Sequence, residues 1–187
     1  MTETGRATAY LYDTAGKLLE QTVMDTAGGG STARTTQLSY TPASLVQTRT
    51  EPNGAATTYT YDTQGNALTA TNALGHVTTY TYDATNRLLS QTEPNGLVTS
   101  FTWDARDRLL TRTVGGIASQ TTTFTYNPSG TLASIALPSG LVTSYTYDAA
   151  QRLTGWSNNR GESGSYTLDA AGNRLSEQTR NSANAVV

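Results

Sequence analysis

A row of aspartates is the first feature of the sequence that could carry chemistry. Asp62, Asp83 and Asp104 each follow an aromatic residue and lie 21 residues apart. Carboxylates and glycines packed into one loop bind calcium. Here each turn carries a single aspartate, and neighbours 21 residues apart would lie two strands, roughly 10 Å, from each other. That separation is too large to share an ion, so we predict turn capping and no metal site.

The other candidates for catalysis are isolated residues. His76 is the single histidine and follows Gly75 in a predicted turn, where the equivalent residues of other repeats are Leu97 and Leu141. A general base needs a partner within hydrogen-bond reach, so His76 is interpreted as an exposed turn residue. Gly28-Gly29-Gly30 lacks the Lys-Ser/Thr of a P-loop, and no Gly-x-Ser-x-Gly elbow is present. We therefore predict no catalytic residue, no cofactor and no enzyme activity.

Arginines form a second recurring set, at Arg87, Arg108, Arg152 and Arg174, near the start of each predicted return strand. They could stack on tyrosines or bridge to the aspartate of the same turn. The alternative is a ladder of arginine and tyrosine that binds sugars or phosphates. The threonine-rich runs are equally open, since threonines suit exposed sheet and are also acceptors for O-glycosylation.

Composition limits the functions that remain. The 187 residues carry a net charge of −2, which gives no electrostatic attraction to nucleic acid or to an anionic membrane. No cysteine is present, which excludes disulfides and thiolate zinc sites. No signal peptide is recognisable in the first twenty residues, and no apolar run reaches the roughly 20 residues of a membrane span. We expect an extracellular or cell-surface protein that is exported by signals not present in this chain.

Stepping along the chain shows the elements that must position these residues. The second aromatic of each Tyr-x-Tyr-Asp unit recurs at Tyr12, Tyr40, Tyr61, Tyr82, Trp103, Tyr126, Tyr147 and, in altered form, Leu168. The intervals are 28, 21, 21, 21, 23, 21 and 21 residues. Glycine-rich inserts near 27–31 and at Gly115-Gly116 account for the longer ones. The whole chain, 1–187, is therefore predicted to be one repeat array, with incomplete repeats possible at both ends.

Each repeat has the pattern of a β-hairpin. In the clearest copy, alternation places Thr78, Tyr80 and Tyr82 on one face of a strand. Asp83 is expected to accept backbone N–H bonds across a tight turn, and Asn86 occupies a position that favours positive φ. Other repeats fill that position with Gly16, Gly65, Gly130, Gly172, Asp107 or Gln151.

The return strand that begins at Arg87 ends in Pro94-Asn95-Gly96, which predicts a type I′ turn. Pro52-Asn53-Gly54 repeats this sequence, and Pro138-Ser139-Gly140 is a close variant. Tyrosines 21 residues apart would form an aromatic ladder across the sheet. The predicted fold is all-β, a continuous antiparallel meander of about eight 21-residue hairpins in a twisted or spiralling strip.

These residues resemble the YD-repeat, or rearrangement hotspot (RHS), family, whose pattern is close to Gly-x-x-x-x-Tyr-x-Tyr-Asp-x-x-Gly-Arg-Leu. The similarity covers nearly the whole chain, with Thr41 in place of the aspartate in the weakest copy. The predicted structural repeat residues are Tyr10, Tyr12, Asp13, Gly16, Tyr59, Tyr61, Asp62, Gly65, Tyr80, Tyr82, Asp83, Arg87, Leu88, Phe101, Trp103, Asp104, Arg108, Leu109, Tyr126, Gly130, Tyr145, Tyr147, Asp148, Arg152, Leu153, Tyr166, Asp169, Gly172 and Arg174.

The resemblance implies a structural role. Family members wind β-sheet strips into spirals or hollow shells; bacterial ones enclose and deliver toxins, teneurins act in adhesion, and glycan binding has been suggested. The Asp-Pro-x-Gly core that ends such shells has no counterpart here. Sixteen strands about 4.8 Å apart would span on the order of 75 Å, too little to close a shell around a protein domain.

We therefore expect a segment of an RHS-type shell that encloses or displays a toxin or other cargo. The alternatives are a self-assembling fibre or adhesin, and a glycan-binding surface module. The expected partners are the remainder of a longer RHS protein or copies of the chain itself, joined through open sheet edges. A glycan is a further possible partner, and neither nucleic acid nor membrane insertion is expected.

Overall fold

The computed structural model describes residues 6–25, 32–115 and 120–187. These residues contain sixteen β-strands and no helix, and the strand order in the sheet is the order in the chain. The prediction of an all-β antiparallel meander is confirmed. The glycine-rich insert near 27–31 lies almost wholly outside the described residues, as does Gly116. The chain divides into two compact units, Met1–Gly96 and Leu97–Val187.

The first unit is a meander of eight strands. They are β1 (Arg6–Tyr12), β2 (Leu18–Asp25), β3 (Thr32–Tyr40), β4 (Val46–Thr50), β5 (Ala56–Tyr61), β6 (Ala67–Thr71), β7 (Val77–Tyr82) and β8 (Leu88–Thr92). Odd-numbered strands carry the Tyr-x-Tyr motifs, and even-numbered strands are the return strands. Each described pair in this unit is antiparallel.

The second unit repeats this arrangement. Its strands are β9 (Val98–Trp103), β10 (Leu109–Val114), β11 (Gln120–Tyr126), β12 (Leu132–Ala136), β13 (Val142–Tyr147), β14 (Leu153–Asn158), β15 (Ser163–Leu168) and β16 (Arg174–Arg180). Within each unit, a strand contacts only the strands that precede and follow it in the sequence. Contacts are therefore local in both units, as in other repeat proteins.

Neither unit has a hydrophobic core among the described residues, where no large apolar side chain is buried. In β7 the alternation gives half-buried Thr78, Tyr80 and Tyr82 on one face and exposed residues on the other, as predicted. On the exposed face, hydroxyls pair across strands, as between Thr60 Oγ1 and Thr69 Oγ1 at 2.7 Å. Cross-strand pairs, rather than a packed interior, must therefore supply much of the stability.

One turn geometry recurs at both ends of the strands. The first turn residue donates its N–H to the carbonyl of the fifth, and the fourth donates to the carbonyl of the first. The fourth residue has positive φ, as predicted for Asn86 (φ 65°) and the equivalent glycines. The residues in this position are Gly16, Ser44, Gly54, Gly65, Gly75, Asn86, Gly96, Asp107, Gly130, Gly140, Gln151, Gly161, Gly172 and Asn184.

The predicted type I′ turn at the Pro-Asn-Gly sequences is wrong. A type I′ turn requires positive φ at Asn53, yet Gly54 has positive φ and Asn53 does not. The turn begins one residue earlier, at Glu51, and has the pattern of a type I turn followed by a left-handed residue. Pro52 explains the shift, because its fixed φ of about −65° suits the second position of a type I turn. All five prolines of the chain occupy this position: Pro42, Pro52, Pro94, Pro128 and Pro138.

Candidate functional site

The Tyr-Asp turns bring the predicted repeat residues together, and the aspartate organises each turn. Asp83 Oδ1 accepts hydrogen bonds from the backbone N–H groups of Thr85 at 2.9 Å and Arg87 at 3.0 Å. The same pair of bonds forms at Asp13, Asp62, Asp104 and Asp148. One carboxylate oxygen thus satisfies two N–H groups that the tight turn leaves free.

The second carboxylate oxygen fixes the side chain that starts the return strand. The Nε of Arg108 donates to Asp104 Oδ2 at 2.7 Å, and Arg152 bonds Asp148 in the same way at 2.7 Å. These bonds, first from the Arg108 side chain and then from its backbone, lower the pKa of Asp104 to about 2. The pKa of Asp83 is lowered further, chiefly by the backbone N–H of Arg87. The carboxylates are therefore ionised at neutral pH and serve structure.

Arg174 departs from the other three arginines. Asn173 occupies the position that Arg87, Arg108 and Arg152 fill elsewhere, and its Nδ2 donates to Asp169 Oδ2 at 2.8 Å. Arg174 lies one residue further on, where its Nη1 pairs with Glu177 Oε2 at 3.0 Å. This exposed pair contributes little to stability.

The second tyrosine of the motif bonds the preceding repeat. The hydroxyl of Tyr61 donates to the carbonyl of Val46 at 2.7 Å. Tyr40 and Tyr126 make the equivalent bonds to the carbonyls of Leu18 at 2.7 Å and Leu109 at 2.9 Å. Backbone pairing between neighbouring repeats ends before it reaches these carbonyls. The hydroxyl therefore replaces a missing sheet hydrogen bond, a role that the sequence reasoning missed.

A cation also reaches the same tyrosine from the preceding repeat. Lys17 Nζ lies 5.5 Å from the centre of the Tyr40 ring, and the Arg108 guanidinium lies 4.4 Å from that of Tyr126. Both are cation–π distances. Arg108 thus contacts its own Asp104 and the next repeat's tyrosine, so the two structural alternatives for the arginines occur together. These contacts, and not ring stacking between repeats, hold the second aromatics in place, because rings two strands apart are about 9.6 Å from each other.

The turns themselves also contact one another within each unit. Arg152 Nη1 donates to the carbonyl of Asp169 at 3.0 Å, and Asn66 Nδ2 donates to Asn86 Oδ1 at 2.8 Å. The leucines at the start of the return strands lie directly opposite the second aromatics. These pairs are Leu88 with Tyr82, Leu109 with Trp103, and Leu153 with Tyr147.

The remaining predicted repeat residues lie at their expected positions in the strands and turns. Tyr10 and Tyr12 lie in β1 with ring centres 6.4 Å apart. Directly opposed residues across the neighbouring strand are Gln21 for Tyr10, Ala70 for Tyr59, Arg112 for Phe101, Trp156 for Tyr145 and Glu177 for Tyr166.

His76 is exposed and takes part in a turn of the same geometry. Its backbone N–H donates to Asn72 Oδ1 at 3.0 Å, and its Nδ1 lies 3.4 Å from Asn72 Nδ2. Asn72 fills the position of the repeat aspartates, so His76 contacts a turn amide. Among the described residues, no three potential ligands come together to hold a metal ion. No helix in the described ranges is long and apolar enough to cross a membrane.

Two glycines that sequence reasoning missed are the buried residues of the described chain, Gly155 and Gly164. Trp156 lies directly opposite Gly164. A Cβ on Gly164 would lie 2.2 Å from Trp156 Nε1, so the indole packs on the glycine backbone. A Cβ on Gly155 would lie 2.8 Å from the Gly164 carbonyl. The signal in the sequence is a glycine in a strand, which marks a close approach.

Comparison with solved structures shows the fold in larger proteins. A crystal structure entitled TcdB2-TccC3-Cdc42 matches with a TM-score of 0.82 and 17% identity, over 98% of this chain and 12% of that one. A Photorhabdus luminescens Tc holotoxin pore matches with a TM-score of 0.80 and 16% identity, over 97% of this chain and 11% of that one. The chain thus spans about one tenth of these relatives. No curated protein sequence matches it significantly.

The family comparison covers more than half of the chain. A model of the RHS Repeat family matches residues 40–76, 61–96, 82–118, 126–155 and 147–183. These overlapping matches follow the Tyr-Asp turns described above. The chain therefore belongs to the RHS repeat family.

Proposed function

We propose that the chain is a segment of wall in an RHS-type shell that encloses or displays a toxin or other cargo. The observation that carries this proposal is the bonding between successive repeats. Tyr61 bonds backwards to Val46, and Arg108 contacts forwards to Tyr126, so each repeat is completed by its neighbours. Such a sheet needs no core of its own, which suits a thin wall.

The relatives support the same proposal. Nearly all of the chain matches a tenth of proteins named as Tc toxin components. A role as one stretch of a longer wall is consistent with that proportion. The protein is then structural, carries no catalytic site, and works in an extracellular or cell-surface toxin system.

Protease protection tests enclosure directly. In the longer natural protein that carries this segment, we expect the cargo to resist a protease that cleaves it readily when it is free. Tyr61→Ala combined with Tyr126→Ala should open the wall and expose the cargo. Tyr10→Ala, which removes an exposed ring in β1, is the control and should leave protection unchanged. Equal cleavage of the cargo in the unaltered protein and in the free form would contradict enclosure.

A self-assembling fibre is the second candidate, and strand β1 favours it. Tyr10, Leu11 and Tyr12 are 54%, 52% and 54% exposed, in a strand whose outer edge is open to pairing. Concentration-dependent polymers in sedimentation velocity, lost when Leu11→Lys places a charge on this edge, would support a fibre. A monomer at all concentrations would exclude it.

A further inference from the structure

Neighbouring repeats separate from each other close to the Tyr-Asp turns of the first unit. Between β6 and β7, backbone pairing extends only from Thr71↔Val77 to Thr69↔Thr79. Between β4 and β5 it extends only from Thr50↔Ala56 to Thr48↔Thr58. The strands continue beyond these pairs towards the aspartate turns, so a groove opens at the end of each pair.

The two grooves are equivalent and lie one repeat apart. The first has a volume of about 400 Å³ and is lined by Pro42, Leu45, Tyr59 and Tyr61. The second has a volume of about 420 Å³ and is lined by Leu68, Tyr80, Tyr82 and Ala84. Asp62 contributes to both. Each groove thus offers two tyrosine rings and aliphatic side chains beside one shared carboxylate.

The tyrosines of the grooves have different tasks. The hydroxyl of Tyr61 is bound to the carbonyl of Val46, so this ring is fixed as part of the groove wall. The hydroxyls of Tyr59 and Tyr80 have no hydrogen-bond partner among the described residues. A half-buried hydroxyl of this kind is a donor that a ligand carbonyl can satisfy.

We propose that the two grooves bind a proline-rich peptide in the polyproline II conformation, which runs across strands β4 to β7. Shallow grooves lined by aromatic residues are the usual docking surface for such peptides. The polyproline II backbone has no internal hydrogen bonds, so its carbonyls are free to accept from Tyr59 and Tyr80. This inference goes beyond the wall function and does not depend on it.

The spacing of the grooves supports this ligand. Tyr59 and Tyr80 lie two strands apart in the sheet, about 9.6 Å for straight, evenly spaced strands. One turn of polyproline II is three residues and about 9.3 Å. Prolines three residues apart would therefore enter successive grooves. A fully extended strand repeats its side-chain direction about every 6.8 Å and would miss the second groove.

Asp62 gives the site a charge preference. Its carboxylate is bonded by the Asn66 amide and by backbone N–H groups, with no cation among its described partners. It therefore keeps its negative charge between the two grooves. A lysine between the two prolines should strengthen binding, by a few-fold for an exposed ion pair.

Peptide titration tests the proposal. Fluorescein-labelled decaproline spans about 31 Å and reaches both grooves, whereas tetraproline reaches one. We expect saturable binding of decaproline to the chain, with tetraproline at least about tenfold weaker because it engages a single groove. Tyr59→Ala and Tyr80→Ala should each weaken decaproline binding by about tenfold. Tyr10→Ala changes the equivalent residue of a repeat that lines neither groove, and should have no effect.

Three further measurements keep the result decisive. Tyr59→Phe and Tyr80→Phe keep the rings and should weaken binding by about threefold to tenfold, through loss of the free hydroxyl alone. Asp62→Asn should remove the preference for a decamer with a central lysine. Equal responses to decaproline and to a Gly-Ser decamer would overturn the proposal. So would tyrosine-dependent binding of cellohexaose without binding of decaproline, which would assign the grooves to a saccharide.

Discussion

Each turn aspartate satisfies several polar groups at once, and its value depends on having two oxygens. In Asp104, Oδ1 accepts from two backbone N–H groups while Oδ2 holds Arg108, which in turn lies over Tyr126. A single side chain therefore connects the turn of one repeat with the aromatic residue of the next. The repeat pattern Tyr-Asp-x-x-Gly-Arg follows from these contacts and needs no catalytic explanation.

The two oxygens of Asp104 can be separated by substitution. Asp104→Asn keeps an oxygen for the backbone N–H groups, as Asn72 and Asn158 do in their turns. It loses the charge that holds Arg108. Asp104→Ala loses both functions. We expect the Tm measured by circular dichroism to fall in the order unaltered chain, Asn, Ala. Equal Tm values for the two variants would show that the Arg108 contact alone is important.

The hydroxyl of Tyr61 can be tested against that of Tyr59 in the same strand. Tyr61→Phe removes the donor to the Val46 carbonyl and should lower the free energy of unfolding by about 1 kcal/mol. Tyr59→Phe removes a hydroxyl with no partner among the described residues and should change it by less than about 0.5 kcal/mol. Urea unfolding measures both. If the two variants lose the same stability, the Tyr61 bond is not a structural contact.

At the scale of elements, the pattern of strands and the left-handed turn position were predictable because both are local. Alternation over Val77–Tyr82 and the recurrence of glycine at the fourth turn residue depend only on neighbouring residues. The Tyr61–Val46 bond and the packing of Trp156 on Gly164 were not predictable, since they depend on register between strands. The Pro52 turn was predicted with the wrong type, because Asn-Gly was given more weight than the preceding proline.

Strand pair β14–β15 depends on Gly164. An added methyl group would meet Trp156 Nε1 at 2.2 Å, and the indole must move away from the backbone. We expect Gly164→Ala to lower the free energy of unfolding by about 1–3 kcal/mol, a typical effect of overpacking. Trp156→Ala removes the clash, so Gly164→Ala should cost much less in that background. Additive effects in the double variant would contradict direct contact.

The aspartate turns also determine how the protein responds to acid. The pKa values of Asp62, Asp83, Asp104, Asp148 and Asp169 are all lowered from 3.8 in the folded chain by turn hydrogen bonds. Their contribution is fully present above 3.8, where folded and unfolded chains are both ionised. As pH falls below 3.8, the unfolded chain binds protons first, and the contribution is lost as pH approaches about 2 for Asp104.

The urea midpoint should therefore be nearly constant from about pH 7 to pH 5 and fall between about pH 4 and pH 2. Asp104→Asn should make this fall smaller, because one of the titrating groups is gone. A fall that is complete above about pH 4 would contradict lowered pKa values in the folded state.

At the scale of the whole molecule, each unit is held together by contacts between sequence neighbours. No described large apolar side chain is buried, and within a unit each strand contacts only the strands before and after it. Stability is then a sum of hairpin and neighbour terms, so a local defect should stay local. A protein with a common core would instead distribute the defect over the whole domain.

Hydrogen exchange on Gly164→Ala distinguishes these cases within the second unit. Gly164 lies in β15, which pairs with β14 and β16. We expect faster exchange at Trp156, Tyr166 and their strand neighbours, because local opening of these three strands becomes easier. Strands β9 and β10 should keep their protection, since several intact strand pairs separate them from the change. Uniform loss of protection from β9 to β16 would mean that the unit unfolds cooperatively, and that neighbour contacts alone do not describe its energetics.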